Sequence, residues 1–118
     1  MKTNNVIQEK SFAFAVRTIN LYRYLTEQKR EFVLSKQLLR SGTAIGANVE
    51  ESIGGQSKAD FLSKLSIAYK ESRETIYWLK LLEPTHYLSE SEAISMIKDA
   101  EELCKIIGSI QTTIKRNS

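Results

Sequence analysis

Residues 89–114 read SESEAISMIKDAEELCKIIGSIQTTI, and their spacing decides the fold. Ala93, Met96, Ala100, Leu103, Ile107, Ile110 and Ile114 recur at intervals of three, four, three, four, three and four. This is an unbroken heptad line, which an α-helix turns onto one face. Ser89, with Glu92 three residues on, forms a capping box ahead of it. The serine oxygen accepts from an otherwise unpaired N–H while the glutamate reaches back to the cap. The pattern predicts a helix over about 90–115. Ile94, Ile97 and Cys104 widen its apolar arc to about half the circumference, beyond the ~100° needed to face a core.

Working outward, Pro84 disfavours helical geometry at Glu83 and so ends the preceding helix. Ser57, with Asp60 three residues later, opens that helix, giving about 58–83. Its stripe is Phe61, Leu65, Ala68, Ser72, Ile76 and Leu79. Gly54-Gly55 stops a helix over about 35–53, in which Leu38, Gly42, Ile45 and Val49 follow at helical spacing and Ser35 is the expected N-cap. The first helix, about 6–28, carries two apolar lines: Phe12, Val16 and Ile19, and Ile7, Phe14, Leu21 and Leu25. Gln28-Lys29-Arg30-Glu31 is a polar break. With four valines, one proline and no Asn-Gly or Asp-Gly turn, no segment reads as a strand. Residues 1–118 therefore read as one all-α domain, an antiparallel up-down-up-down four-helix bundle with helices about 30 Å long.

The apolar residues, 42% of the chain, fall on more faces than one core needs. In the third helix Ile67, Trp78 and Leu81 lie roughly opposite the core stripe. A contiguous exposed apolar band marks a partner surface, so these three residues are the expected contact of a homo-oligomer. Gly42 and Gly46 stand one turn apart inside the second helix, where each glycine costs about 1 kcal/mol relative to alanine. Close approach of another helix offsets that cost. A phosphate-binding loop fails as an alternative, because no strand precedes the glycines and the Lys-Ser/Thr ending is absent.

Composition excludes several chemistries. Cys104 and His86 are the whole supply of cysteine and histidine, too few for a common zinc site. A lone cysteine forms no internal disulfide, so a reducing cytoplasm is the expected compartment. No apolar run is long enough for a bilayer span, and the N-terminus lacks the apolar core of a signal peptide. A carboxylate-bridged metal pair in a bundle calls for two Glu-x-x-His pairs, which one histidine cannot supply. Cys104 sits on an apolar arc, where a thiol is buried and unreactive. The chain is expected to be no enzyme and to carry no cofactor and no metal.

The net charge of +3 hides an asymmetry, because residues 1–30 hold six basic and two acidic side chains. Lys10, Arg17 and Tyr24 share a heptad line on the first helix. Lys70, Arg73, Tyr77 and Lys80 form a stripe on the third. Cations interleaved with tyrosine suit a polyanion, the cations pairing with phosphates and the rings stacking on bases. These seven residues are the candidate contacts for RNA or DNA.

The segment Leu38-Leu39-Arg40-Ser41-Gly42-Thr43-Ala44-Ile45-Gly46-Ala47-Asn48-Val49-Glu50-Glu51 resembles the bacterial four helix bundle protein family, also called the 23S ribosomal RNA intervening-sequence protein family. Asp60-Phe61, Ile67-Ala68 and Glu74 fit the same pattern, and the resemblance covers nearly the whole chain. It implies a four-helix bundle assembled into a homopentameric barrel, without cofactor or catalytic site. Some members are encoded within intervening sequences of ribosomal RNA genes. A related branch comprises basic accessory proteins of diversity-generating retroelements, which bind a reverse transcriptase and nucleic acid. Arg40, Asn48, Glu51 and Glu74 match the family's polar positions and are read as a buried structural network, an Arg–Glu pair joined by Asn48. Ser52, where many members have glycine, and Lys70-Glu71, where they have Gly-Ser, place the chain in a sub-branch. The expected function is that of an oligomeric accessory protein associated with nucleic acid. The alternative is a scaffold that binds a protein partner, such as a reverse transcriptase, without touching nucleic acid.

Overall fold

Four helices form where the apolar spacing places them: α1 (Lys2–Glu27), α2 (Leu34–Ile53), α3 (Lys58–Leu82) and α4 (Glu90–Arg116). The computed structural model describes residues 2–117, with side chains described from Val6 to Asn117, and no strand occurs among them. The helices lie lengthwise in a body of 47 × 21 × 19 Å. Each packs on the next in chain order, and α4 returns to α1. Ser11 lies against Gly46 and Thr18 against Gly42; Ser41 meets Thr75, and Glu51 meets Lys64. Ser66 meets Gln111, Ser72 meets Cys104, and Lys10 meets Glu102.

The heptad line of α4 is buried from Ala93 to Ile110. It packs on Leu65, Ala68, Leu79 and Leu82 of α3, Leu38, Ile45 and Val49 of α2, and Ile7, Phe14 and Leu25 of α1 in one core. Of the two apolar lines on α1, the one carrying Ile7, Phe14 and Leu25 turns inward, and Ser11 and Thr18 are buried between them. Phe12, Val16 and Ile19 are left 70%, 44% and 37% exposed.

Among the described residues, the core also holds seven small hydroxyl side chains: Ser11, Thr18, Ser35, Ser41, Ser52, Ser72 and Thr75. Each donates to a carbonyl three or four residues back in the chain. That satisfies the buried polar group locally, and it allows neighbouring helices to approach closely.

Two of the three expected helix starts stand. Ser57 Oγ accepts from Asp60 N at 3.0 Å, and Ser89 with Glu92 completes the capping box. The start of α2 is a correction. Ser35 is not the cap; it lies inside the first turn, fully buried, with its hydroxyl turned back to the Glu31 carbonyl at 2.8 Å. The Glu31 carboxylate takes the cap's place, accepting from the backbone N–H groups of Val33, Leu34 and Ser35 at 3.1, 2.9 and 2.7 Å. Burial raises the Glu31 pKa, but these backbone bonds outweigh it and hold the carboxyl below its ordinary range. α3 ends at Leu82, but Glu83 keeps right-handed helical geometry at φ −75° and ψ −53°, so the expectation that Pro84 displaces it is corrected. The chain turns further on, at His86 with φ 68°, where Tyr87 N donates to Leu82 O and His86 N to Glu83 O.

Candidate nucleic-acid interface

On α3, Lys70, Arg73, Tyr77 and Lys80 follow at helical spacing and are all exposed, Tyr77 by 57%. Because α4 runs beside this line, the two helices enclose an open groove of about 710 Å³. Tyr69, Arg73, Ile76, Tyr77 and Lys80 line it from α3, and Glu101, Cys104, Lys105 and Gly108 from α4. Lys70 continues the α3 line outside that lining. Beneath the groove, Ser72 Oγ lies 2.9 Å from Cys104 Sγ and ties the helices together.

The exposed ring of Tyr77 is set by its neighbours. Trp78 meets it edge-on, with centroids 5.3 Å apart and planes at 66°. Trp78 Nε1 donates to Glu74 Oε2 at 2.9 Å, and Arg40 on α2 donates to the same oxygen. Arg40 also reaches Glu71 at 3.2 Å. The groove thus presents three cations, one carboxylate and a tyrosine face held by a chain of contacts running back to α2. Such a surface can pair with phosphates and stack a base.

Of the seven residues read from the sequence as nucleic-acid contacts, four share the α3 line. Lys10, Arg17 and Tyr24 lie elsewhere, on α1. Lys10 pairs with Glu102 at 3.3 Å, Arg17 with Asp99, and Arg17 also donates to Ser95 Oγ at 3.0 Å. Carboxylates of α4 therefore answer both α1 cations, and Tyr24 lies under Lys29, 5.9 Å from its ring centroid. Sequence reading missed Lys105. Its one available signal is position, directly after Cys104 at the edge of the apolar arc of α4.

The expected four-residue network divides. Arg40 and Glu74 pair, but Asn48 Nδ2 donates to its own helix at Ala44 O, 2.8 Å away, and Glu51 pairs with Lys64 at 2.9 Å. Nor is the pair deeply buried: the side chains of Arg40 and Glu74 are 49% and 37% exposed. Gly42 and Gly46 face α1, where an added Cβ would stand 2.6 Å from Thr18 Cγ2 and 3.3 Å from Ser11 O respectively. Ile67, Trp78 and Leu81 are half-buried, with Trp78 packed at the edge of the core.

Among the described residues no group of three or more His, Cys, Asp or Glu is placed to hold a metal ion. None of the described helices is long and apolar enough to cross a membrane.

Four helices around one core, with a basic aromatic groove between the last two, define an all-α bundle. The family model of the 23S rRNA-intervening sequence protein matches residues 3–109, and the chain belongs to that family. It is similar to a solved protein of unknown function from the S23 ribosomal protein family of Bacteroides thetaiotaomicron VPI-5482. The two are 49% identical, with a TM-score of 0.92 over 93% of this chain and 98% of that one. A comparison with curated proteins gives no match.

Proposed function

We propose that this chain is a non-enzymatic accessory protein of the cytoplasm that binds nucleic acid as a homo-oligomer, its four helices in up-down-up-down order. The observation that carries the reading is the convergence of Arg73, Lys80 and Lys105 with the exposed Tyr77 on one groove. Membership of a family described by an intervening sequence of 23S ribosomal RNA supports it. The ring of five implied by the sequence resemblance would repeat the groove around an axis and raise the net charge of +3 to about +15. Filter binding to a structured RNA at two salt concentrations tests the reading. Affinity tighter than micromolar at low salt, weakening as salt rises, supports it; weaker affinity or no salt dependence overturns it.

A second reading has its own observation. Phe32 and Val33, in the turn between α1 and α2, are 55% and 72% exposed and lie outside the groove. Exposed apolar residues at a bundle end suit a protein partner, which makes the chain a scaffold without nucleic-acid contact. Charge reversal at Lys70, Arg73 and Lys80 separates the two readings. Under the first it abolishes RNA binding; under the second it leaves recovery of the protein partner unchanged.

A further inference from the structure

Glu101 works against its neighbours in the α3–α4 groove. Its side chain is exposed and lines the groove with Arg73, Lys80 and Lys105. None of the four makes an ion pair among the described residues. Glu101 can meet Lys105 four positions on, but an exposed helical pair of that kind is weak and leaves both groups available to a ligand. Toward phosphates alone the carboxylate is repulsive and weakens the binding of every strand. It favours a ligand only where that ligand also brings hydrogen-bond donors, because a carboxylate only accepts.

The place of Glu101 suits such a ligand. The contacts Ser66–Gln111 and Ser72–Cys104 set the register of α3 on α4. Tyr77 lies five residues beyond Ser72, and Glu101 three before Cys104. In that register, at about 1.5 Å per residue, the two stand within about 3 Å of the same level. Arg73 and Lys80 flank Tyr77 along α3, about 6 Å to one side and about 4.5 Å to the other. A base stacked on the Tyr77 ring, 57% exposed, can therefore turn its edge to Glu101 while the phosphates on either side meet cations.

The chemistry of the bases decides which one fits. Guanine presents N1–H and the N2 amine side by side on its Watson–Crick edge, two donors for the two oxygens of one carboxylate. Adenine and cytosine set one amine beside an unprotonated ring nitrogen, and uracil sets one N–H between two carbonyls. Each of these turns a lone pair toward the carboxylate. In a duplex the same edge is already paired, so only a single strand offers it. We propose that Glu101 makes the groove selective for an unpaired guanine in a single strand, stacked on Tyr77 and read through N1–H and the N2 amine.

The proposal rests on the groove being a nucleic-acid site, and its test separates the two. Fluorescence anisotropy with the full chain reads the affinity for a short oligouridine RNA carrying one central guanosine, adenosine, cytidine or inosine. The guanosine strand should bind about tenfold more tightly than the adenosine, cytidine and plain uridine strands. Inosine lacks only the N2 amine and should bind at least about threefold more weakly than guanosine. An arginine reads guanine at O6 and N7, atoms that inosine keeps. Equal binding of guanosine and inosine would therefore assign the preference to Arg73 and overturn the proposal. Glu101→Gln turns one acceptor oxygen into a donor at an exposed position, and should cut the guanosine preference to under about threefold. The plain strand should then bind at least as tightly as before, since a repulsive charge is gone. A Glu101→Gln chain that keeps the preference, or that loses every strand alike, overturns the proposal. Guanosine monophosphate offers the same base edge with one phosphate, and should compete at least about tenfold less well than the guanosine strand. Equal competition would make a free nucleotide the ligand and overturn the single strand. A wild-type chain that binds every strand equally overturns the guanine assignment and leaves the nucleic-acid reading standing; one that binds none overturns both.

Discussion

Replacing Gly42 with alanine places a methyl group where α1 and α2 come closest. The new Cβ would stand 2.6 Å from Thr18 Cγ2 and 2.7 Å from Thr18 Oγ1, well inside the 3.4 Å at which ordinary contact begins. Either the helices part by several tenths of an ångström, or Thr18 rotates and gives up its 2.9 Å bond to Phe14 O. Thr18 is fully buried, so a rotated hydroxyl has no water to turn to. Overpacking of this kind costs about 1–3 kcal/mol, and alanine's better helix propensity returns about 1 kcal/mol. Where the unmade hydroxyl bond adds to the loss, the net effect is a destabilisation of about 1–2 kcal/mol. Urea unfolding followed by circular dichroism, at one fixed protein concentration, should show the midpoint falling by about 0.5–1 M. Adding Thr18→Ala removes the two nearest atoms and should recover part of that loss, a coupling that a double-mutant cycle isolates. Gly46→Ala meets Ser11 less tightly, its O at 3.3 Å and its C and Oγ at 3.5 Å, and with alanine's better helix propensity should be close to neutral. A Gly42→Ala chain more stable than wild type, or one indifferent to Thr18→Ala, would refute the close approach of α1 and α2.

Three other perturbations have defined outcomes. Glu31→Gln removes the charged acceptor shared by three N–H groups at the start of α2 and should cost about 1–2 kcal/mol in denaturant unfolding. The folded state holds the Glu31 carboxyl below its ordinary value of 4.5, so its stabilisation is complete above that value and is lost as the pH falls through the folded pKa. Stability measured from neutral pH into that acidic window should therefore fall less steeply in Glu31→Gln than in wild type. Ser89→Ala dismantles the capping box of α4 and should cost about 1 kcal/mol, seen as a drop of several degrees in Tm. Arg40→Ala breaks a half-exposed pair and should cost under about 1 kcal/mol. Its clearer mark is the fluorescence of Trp78, the chain's one tryptophan, whose Glu74 acceptor loses its arginine.

The helices were legible where one physical signal acted alone. The Ala93–Ile114 line has a single apolar face and two cap signals at its start, so its position follows from spacing. On α1, two apolar lines compete, and hydrophobicity alone favours neither. The line carrying Ile7 and Phe14 goes inward because Ser11 and Thr18 lie on it, small enough to accept the glycine face of α2. The start of α2 escaped because its cap is a glutamate in the preceding loop, whose longer side chain reaches across the turn to N–H groups two to four residues on. The α3 half of the groove was visible as a stripe, while Lys105 becomes part of it only when α4 packs beside that stripe. The pairing of Lys10 with Glu102 joins residues 92 positions apart, and no local pattern announces it. The α1 cations therefore looked more available in the sequence than their ion pairs leave them.

The most direct test of the central claim is the salt dependence of RNA binding, compared between wild type and Lys105→Ala. If Arg73, Lys80 and Lys105 each neutralise one phosphate of a single strand, log K should fall against log salt with a slope of about −2 per copy. Removing Lys105 should weaken binding at low salt and make that slope shallower by about 0.7. Wild-type binding with no salt slope, or a Lys105→Ala chain with unchanged affinity and slope, would contradict the assignment of the α3–α4 groove to nucleic acid.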